Sequence, residues 1–387
     1  MKSIQSISRA SDPAPSRGLA ARPRPFRPMT RAKTIAMWAV GLCMLLTGCA
    51  PGDNAAVSSE SKDKSKATTG AVVTHQHRIP CADPGIELYL KEKVLATGTA
   101  ATPSPTKAVL FLEPFGVPTA EAFDLPGYSW MDHLARQGFD TWALDFRGFG
   151  QSTRPAAMTQ PPNQNAPVVR LNDVLKDVDA AVNFIKTSRG VPSVDLIGWS
   201  YGGVAAGAYA AQHPENVHRV VLYGAMHGFQ LPGMTQPMEE KPGVLKKDIP
   251  AYQLATFAMT MQHWNMMMNG RPLVSADAVE GAKKIFMESD PTAGDRNPPS
   301  VRRPMGPMVD LYAIWSNRPI FDAGKIQCPT LVVRGDSDFF ADPTLFDKLT
   351  SAKEKKEVVI PEATHWAIYE KNRGVLLEET LKFLQAQ

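Results

Sequence analysis

Ser200 stands between Gly198 and Gly202 in the run Ile197-Gly198-Trp199-Ser200-Tyr201-Gly202-Gly203, directly after an apolar stretch and directly before the Ala-rich residues 204–211. An apolar run entering an Ala-rich helix through Gly-x-Ser-x-Gly has the form of a nucleophile elbow. That strand-to-helix turn is too tight for side chains two residues either side of the serine, and glycine removes them. The turn lifts the Ser200 hydroxyl above the sheet edge. It also aims the amide of Tyr201, the first of the helix, at the same point, where the helix dipole favours negative charge. A serine hydroxyl is a weak nucleophile until a base takes its proton, and a third group must orient that base. The chain order that accompanies this motif is Ser, then acid, then His. Of the eight histidines only His365, just past the apolar run 357–361, has that position and order. Two acids compete for the third role, Asp336 and Asp338, in the turn that follows the apolar residues 328–333.

The other histidines have plainer readings. His75 and His77 lie in a polar stretch with no third ligand at metal-binding spacing. His133 and His263 read as packing residues, His213 and His218 bracket a helix end and a strand start, and His227 follows a strand and is expected to line a pocket.

The elements that must position these groups alternate along the chain. Strands are expected at 86–95, 108–112, 141–146, 194–199, 220–226, 328–333 and 357–361. Helices are expected at 129–136, 171–187 and after Ser200. Val174, Val178, Ala181, Val182 and Ile185 recur at helical spacing within 171–187. Such alternation argues for a mostly parallel sheet with helices on both faces, and both the acidic turn and His365 then fall just past the carboxyl ends of strands, where open α/β sheets bind ligands. The hundred or so residues after His227 exceed any simple crossover, so about 227–320 reads as a cap insertion. Its Met259, Met261, Met266, Met267 and Met268 suit either an adaptable apolar binding surface or the cap's own core. Residues 290–307, rich in Pro, Gly, Arg and Asp, read as an irregular loop.

From about Gly85 to Gln387 the chain resembles the α/β-hydrolases of the serine esterase/lipase type. The resemblance is carried by the elbow, by Asp145-Phe146-Arg147-Gly148-Phe149-Gly150-Gln151-Ser152 in the position of the family's turn after strand four, by Gly335-Asp336-Ser337-Asp338, and by a final His365. It implies the α/β-hydrolase fold, with the cap between strands six and seven. It also implies Asp338, the second aspartate of its turn, as the acid of a Ser200–His365–Asp338 triad, leaving Asp336 to bind turn backbone. Residues 227–230, where some relatives carry the acid, hold no carboxylate. The family takes a second oxyanion amide from the loop after strand three. Here that loop reads Glu113-Pro114-Phe115-Gly116, a departure from the usual His-Gly, and Pro114 has no N–H to give. The donor is then Phe115. The activity implied is cleavage of a small-molecule carboxylic ester or similar acyl bond, with no metal or organic cofactor. Serine in the nucleophile position argues against the aspartate-dependent dehalogenases and epoxide hydrolases of this fold. Amidases or peptidases, thioesterases, carbon–carbon bond hydrolases and acyltransferases share the arrangement. A catalytically silent envelope binding protein is the rival from another class, motivated by Glu113-Pro114.

At the N-terminus, Arg31 and Lys33 precede the apolar run 35–46, which leads into Leu46-Thr47-Gly48-Cys49. This pattern describes an export signal, too short to span a bilayer as an anchor. It resembles the lipobox of bacterial lipoproteins, which implies removal of 1–48 and lipidation of Cys49. Met29 begins a signal of ordinary length and is a possible true start. Residues 49–78 then read as a flexible tether and 79–387 as the hydrolase domain. The resemblance places the chain in the bacterial envelope, held by lipid and facing the periplasm, with Ala50 favouring the outer membrane. The formal charge of +4 is concentrated in residues 1–48, which hold eight of the 42 Lys/Arg and one of the 38 Asp/Glu. The remainder offers no basic face for nucleic acid. In an oxidising compartment Cys81 and Cys328 are free to form a disulfide if their separation permits.

Overall fold

In a computed structural model that describes residues 70–96 and 108–386, eight strands form one sheet in the order β1-β2-β4-β3-β5-β6-β7-β8. They are β1 (Val72–Pro80), β2 (Glu87–Leu95), β3 (Ala108–Leu112), β4 (Asp140–Asp145), β5 (Val194–Trp199), β6 (Val217–Tyr223), β7 (Thr330–Gly335) and β8 (Lys355–Ile360). The β1/β2 and β2/β4 pairs are antiparallel, and every other pair is parallel. The central strands β3, β4 and β5 are buried along their whole length. This is why they read as unbroken apolar runs instead of alternating ones. The edge strand β8 opens Lys355-Lys356-Glu357, all exposed, charges that discourage pairing with another chain.

Helices cover both faces. On one, α1 (Trp130–Arg136) packs near the C-terminal helix; on the other, α2 (Leu171–Arg189) packs on α3 (Tyr201–Gln212). The expected stripe of α2 is buried, with Leu171 and Leu175 added to it. At about 1.5–3 kcal/mol for each Val or Ile taken from water, this face explains why the apolar 3.6-residue stripe docks on the sheet.

The insertion between β6 and β7 is a helical cap. It contains α4 (Phe257–Met268), α5 (Ala276–Glu288) and α6 (Gly306–Trp315), with a two-stranded ribbon pairing Tyr252–Ala255 and Val301–Pro304. The C-terminal helix is α7 (Arg373–Gln385).

Three expectations need correction. The stretch 49–78 is not tether throughout, because β1 begins at Val72 and pairs along all nine residues with β2. As an edge strand it buries little beyond Ile79, so its sequence lacks the alternation of a half-buried strand. His77 accordingly belongs to the fold, bonded to Glu92 at 2.7 Å and set against Trp142. The second correction concerns 290–307, which carries the ribbon strand Val301–Pro304. The third is that Cys81 and Cys328 are both free. They stand next to β1 and β7, which are six strand spacings of about 4.8 Å apart, far beyond the ~4.4–6.8 Å a disulfide spans. Cys81 Sγ instead accepts from Arg147 Nη2 at 3.1 Å. The expected signal 1–48, Met29, Cys49 and most of the tether lie outside the described residues.

Candidate active site

The carboxyl ends of β3, β5, β6, β7 and β8 converge on one rim of the sheet. Ser200 sits at the β5–α3 junction with φ +59° and ψ −119°, a conformation that costs an L-residue about 1–3 kcal/mol. Its amide donates to the Tyr223 carbonyl at 2.8 Å, fixing the turn to β6. A Cβ at Gly198 would lie 2.2 Å from the Gly202 carbonyl oxygen, and one at Gly202 would lie 2.0 Å from that of Leu112. The first clash is the one expected across the elbow. The second shows α3 seated directly against the end of β3.

His365 and Asp338 meet at 2.8 Å, Nδ1 to Oδ2, both buried. The other carboxylate oxygen, Oδ1, accepts the amides of Phe340 (2.9 Å) and Ala341 (3.1 Å). Asp338 is thereby held by backbone on one oxygen and offers the second to the imidazole. The His365 carbonyl accepts from Trp199 Nε1 and Tyr223 Oη, each at 2.9 Å, so the imidazole-bearing loop is clamped to β5 and β6. Gly224 ends β6 at φ +54°, and a Cβ there would come within 3.0 Å of Asp338 Oδ2 and the His365 ring. The strand-six end has been emptied so that the acid of β7 and the imidazole can meet above it.

Asp336 is elsewhere. Its carboxylate accepts the amides of Glu362 (2.9 Å) and Ala363 (3.2 Å), in the loop before His365. Burial works against its charge, but these amides and Ser337 hold it below the ordinary carboxylate range. Glu370, one helical turn past His365, accepts the Thr364 amide and hydroxyl and, at 2.8 Å, Trp264 Nε1 of α4. The cap and the histidine loop are thus joined through one buried carboxylate, whose pKa burial raises.

Ser200, His365 and Phe115 line one cavity of about 380 Å³ beneath the cap, within the range of small-molecule sites. Its walls are mostly apolar, among them Met226, Met259, Leu311, Trp315, Phe340 and Trp366. Of the Met-rich helix, Met259 faces this cavity while Trp264 and Met267 are buried in the core, so both expected uses are realised by different residues. His227 does not line it; its Nε2 is bonded to the Phe321 carbonyl at 3.0 Å. The Tyr201 side chain points away, donating to Asp310 at 2.8 Å. Its amide, first in α3, has no intrahelical acceptor. A wider groove between β1 and α2, lined by Cys81 and Lys176, contains none of these groups.

Glu113 had no readable role in the sequence. It is fully buried, and Oε1 accepts the Phe146 amide at 2.5 Å, tying the root of the 113–116 loop to the turn after β4. Beside it Asp145 accepts the amides of Ala120 and Gln151. Burial pushes Asp145 up to about 6. Burial first, and then the charge of Asp145, push Glu113 well above the ordinary range. Above the loop, Thr260 of the cap donates to the Gly116 carbonyl at 3.1 Å. The loop that carries Phe115 is therefore braced from both sides.

Known proteins share this fold. The α/β-hydrolase fold family model matches residues 122–372. The human serine hydrolase BPHL is 33% identical over 95 residues, 24% of this chain and 29% of that protein. Epoxide hydrolase 3 of Xenopus tropicalis is 22% identical over 62% of this chain and 63% of its own length. The chain thus matches less than two thirds of the length of either curated relative. Among solved structures, a 2-hydroxy-6-oxo-6-phenylhexa-2,4-dienoate hydrolase from Rhodococcus superimposes with a TM-score of 0.53 at 17% identity, covering 82% of this chain and 100% of its own. The chain belongs to the α/β-hydrolase fold family.

Proposed function

We propose that this protein is an exported, lipid-anchored serine hydrolase that cleaves a carboxylic ester or similar acyl bond through an acyl-enzyme on Ser200. The observation that carries the reading is the 2.8 Å bond between His365 Nδ1 and Asp338 Oδ2, on the same rim as the strained Ser200. With Nδ1 facing Asp338, Nε2 is the nitrogen free to take the Ser200 proton. Ser200 Oγ then attacks the acyl carbon, and the carbonyl π pair moves to oxygen. The amides of Tyr201 and Phe115 receive that oxyanion, a stabilisation worth about 10²–10³ in rate per donor. Collapse expels the alcohol, which takes the proton from His365. Water, deprotonated by His365, attacks the acyl-enzyme and releases the acid. Asp338 orients the imidazole and favours the imidazolium. Serine at 200 favours acyl transfer over the epoxide opening named for the Xenopus relative. The anchor is lipid on Cys49, which keeps the domain at the periplasmic face of the envelope, at the outer membrane.

A panel of p-nitrophenyl esters tests the chemistry. A stoichiometric burst of p-nitrophenol is expected from wild type and none from Ser200→Ala. A folded protein that shows no burst with any ester would move the assignment to carbon–carbon cleavage or to a binding role. For the anchor, Cys49→Ser is expected to move the protein from the membrane to the soluble fraction and to lose the lipid mass.

A further inference from the structure

Arg303 is a buried guanidinium on the cap ribbon, and it lines the same cavity as Ser200 and His365. Among the described residues, no carboxylate lies within the 4.0 Å of an ion pair to it. Its neighbours are treated differently: Arg302 and Arg296 both pair with Asp290 at 3.0 Å, and Arg147 is shared between Asp83 and Asp177. The partners of Arg303 are neutral. The Phe115 ring lies 4.1 Å from its guanidinium carbon, its Nη1 is 3.4 Å from the Phe115 carbonyl, and the Gln253 side-chain oxygen accepts from Nη2 at 2.6 Å when that amide is turned to face it. Burial lowers its pKa only to about 10, so it stays charged at neutral pH. The other titratable groups lining the cavity are His263 and His365, and no Asp or Glu lines it. A desolvated cation without a counter-ion is a costly arrangement that a bound anion relieves.

Resting on the reading of Ser200 as the acylated nucleophile, we propose that Arg303 is a specificity-determining residue that binds a carboxylate of the substrate, so that the esters cleaved here are anionic, such as half-esters of short dicarboxylic acids. The planar guanidinium suits a carboxylate, which it can bind through two parallel hydrogen bonds. No other Lys or Arg lines the cavity to compete for that group. Because Arg303 rests on Phe115, a carboxylate bound there sits near the proposed oxyanion site.

The test compares p-nitrophenyl half-esters of succinate, glutarate and adipate with the methyl-capped neutral diesters of the same length. Acetate esters of carboxyphenols form a second arm that puts the charge on the leaving group. Wild type is expected to favour one anionic series in kcat/KM by about 10²-fold, as for a buried charge pair with both partners present. Arg303→Gln should lose that preference, lowering the anionic series about tenfold or more beyond any loss on the neutral diesters, and Arg303→Lys should recover part of it. Preference within the half-esters assigns the carboxylate to the acyl side, and within the carboxyphenyl acetates to the alcohol side. Equal losses on charged and neutral esters, or no wild-type preference in either arm, overturns the proposal. Calorimetry of glutarate binding to Ser200→Ala, with and without Arg303→Gln, separates the two readings. Binding that depends on Arg303 in a protein that cleaves no ester sinks the Ser200 chemistry alone. Fluorophosphonate labelling at Ser200 without any carboxylate discrimination sinks the Arg303 assignment alone.

Discussion

Replacing Glu113 by Gln should make the protein's stability advantage over wild type grow with pH. The folded-state pKa of Glu113 is raised above its usual value, chiefly by burial and then by the charge of Asp145, against the single amide of Phe146. Between the unfolded pKa, near 4.5, and the raised folded one, the native state holds a proton that the unfolded state has released. Stability from this group is therefore fully present below the unfolded pKa and lost as pH rises toward the folded one. The loss is at most about 1.4 kcal/mol per pH unit for one proton, and it stops once the folded carboxyl ionises. Glutamine keeps the acceptor for the Phe146 amide and cannot ionise, so it escapes that slope. Its NH₂ replaces Oε2, which has no partner among the described residues, and an unsatisfied buried donor costs about 1–3 kcal/mol. That cost does not vary with pH. Urea denaturation of both proteins from pH 5 to 8 reads the difference directly. The mutant curve should start level with or below wild type at pH 5 and climb relative to it, with a slope approaching ~1.4 kcal/mol per unit. Parallel curves over the whole range would refute a protonated, buried Glu113.

Three further outcomes follow from named contacts. Asp338→Asn should lower kcat by about 10⁴ with little change in KM, because the imidazole then loses its anionic partner, whereas Asp336→Ala, which frees two amides of the histidine loop without touching the imidazole, should cost about tenfold or less; steady-state ester kinetics distinguish them. Gly224→Ala places a methyl 3.0 Å from both Asp338 Oδ2 and His365 at positive φ, so it should cost about 1–2 kcal/mol in thermal stability and lower kcat more than KM. Glu370→Ala strands the Trp264 indole and two Thr364 donors, a buried network whose loss should destabilise by about 3–5 kcal/mol in denaturant melts.

The sequence made the elbow legible because so tight a turn leaves no choice of residues. Glycine is forced at 198 and 202 by contacts near 2 Å, and the serine between them is the one side chain the turn exposes. His365 was read from order alone and Asp338 from the family's turn; Asp336, expected to bind its own turn, instead accepts amides of the loop that carries His365. What stayed hidden depends on neighbours that are distant in the chain. Glu113 looked like a defect in an oxyanion loop, and its bond to Phe146, 33 residues away, explains its presence only once β3 and β4 lie side by side. Arg303 sits in a Pro- and Arg-rich segment whose composition says loop, and its neighbour Arg302 has the counter-ion it lacks. Strand β1 was missed because an edge strand wet on both faces has no apolar period to read.

The central claim is that Ser200 is made nucleophilic by His365. The most direct measurement is intact and peptide mass spectrometry after reaction of the folded protein with a fluorophosphonate. One adduct should form on the peptide carrying Ser200, be absent in Ser200→Ala, and form at least about 10³-fold more slowly in His365→Ala. An adduct at another residue, or labelling of Ser200 at an unchanged rate without the imidazole, would contradict it.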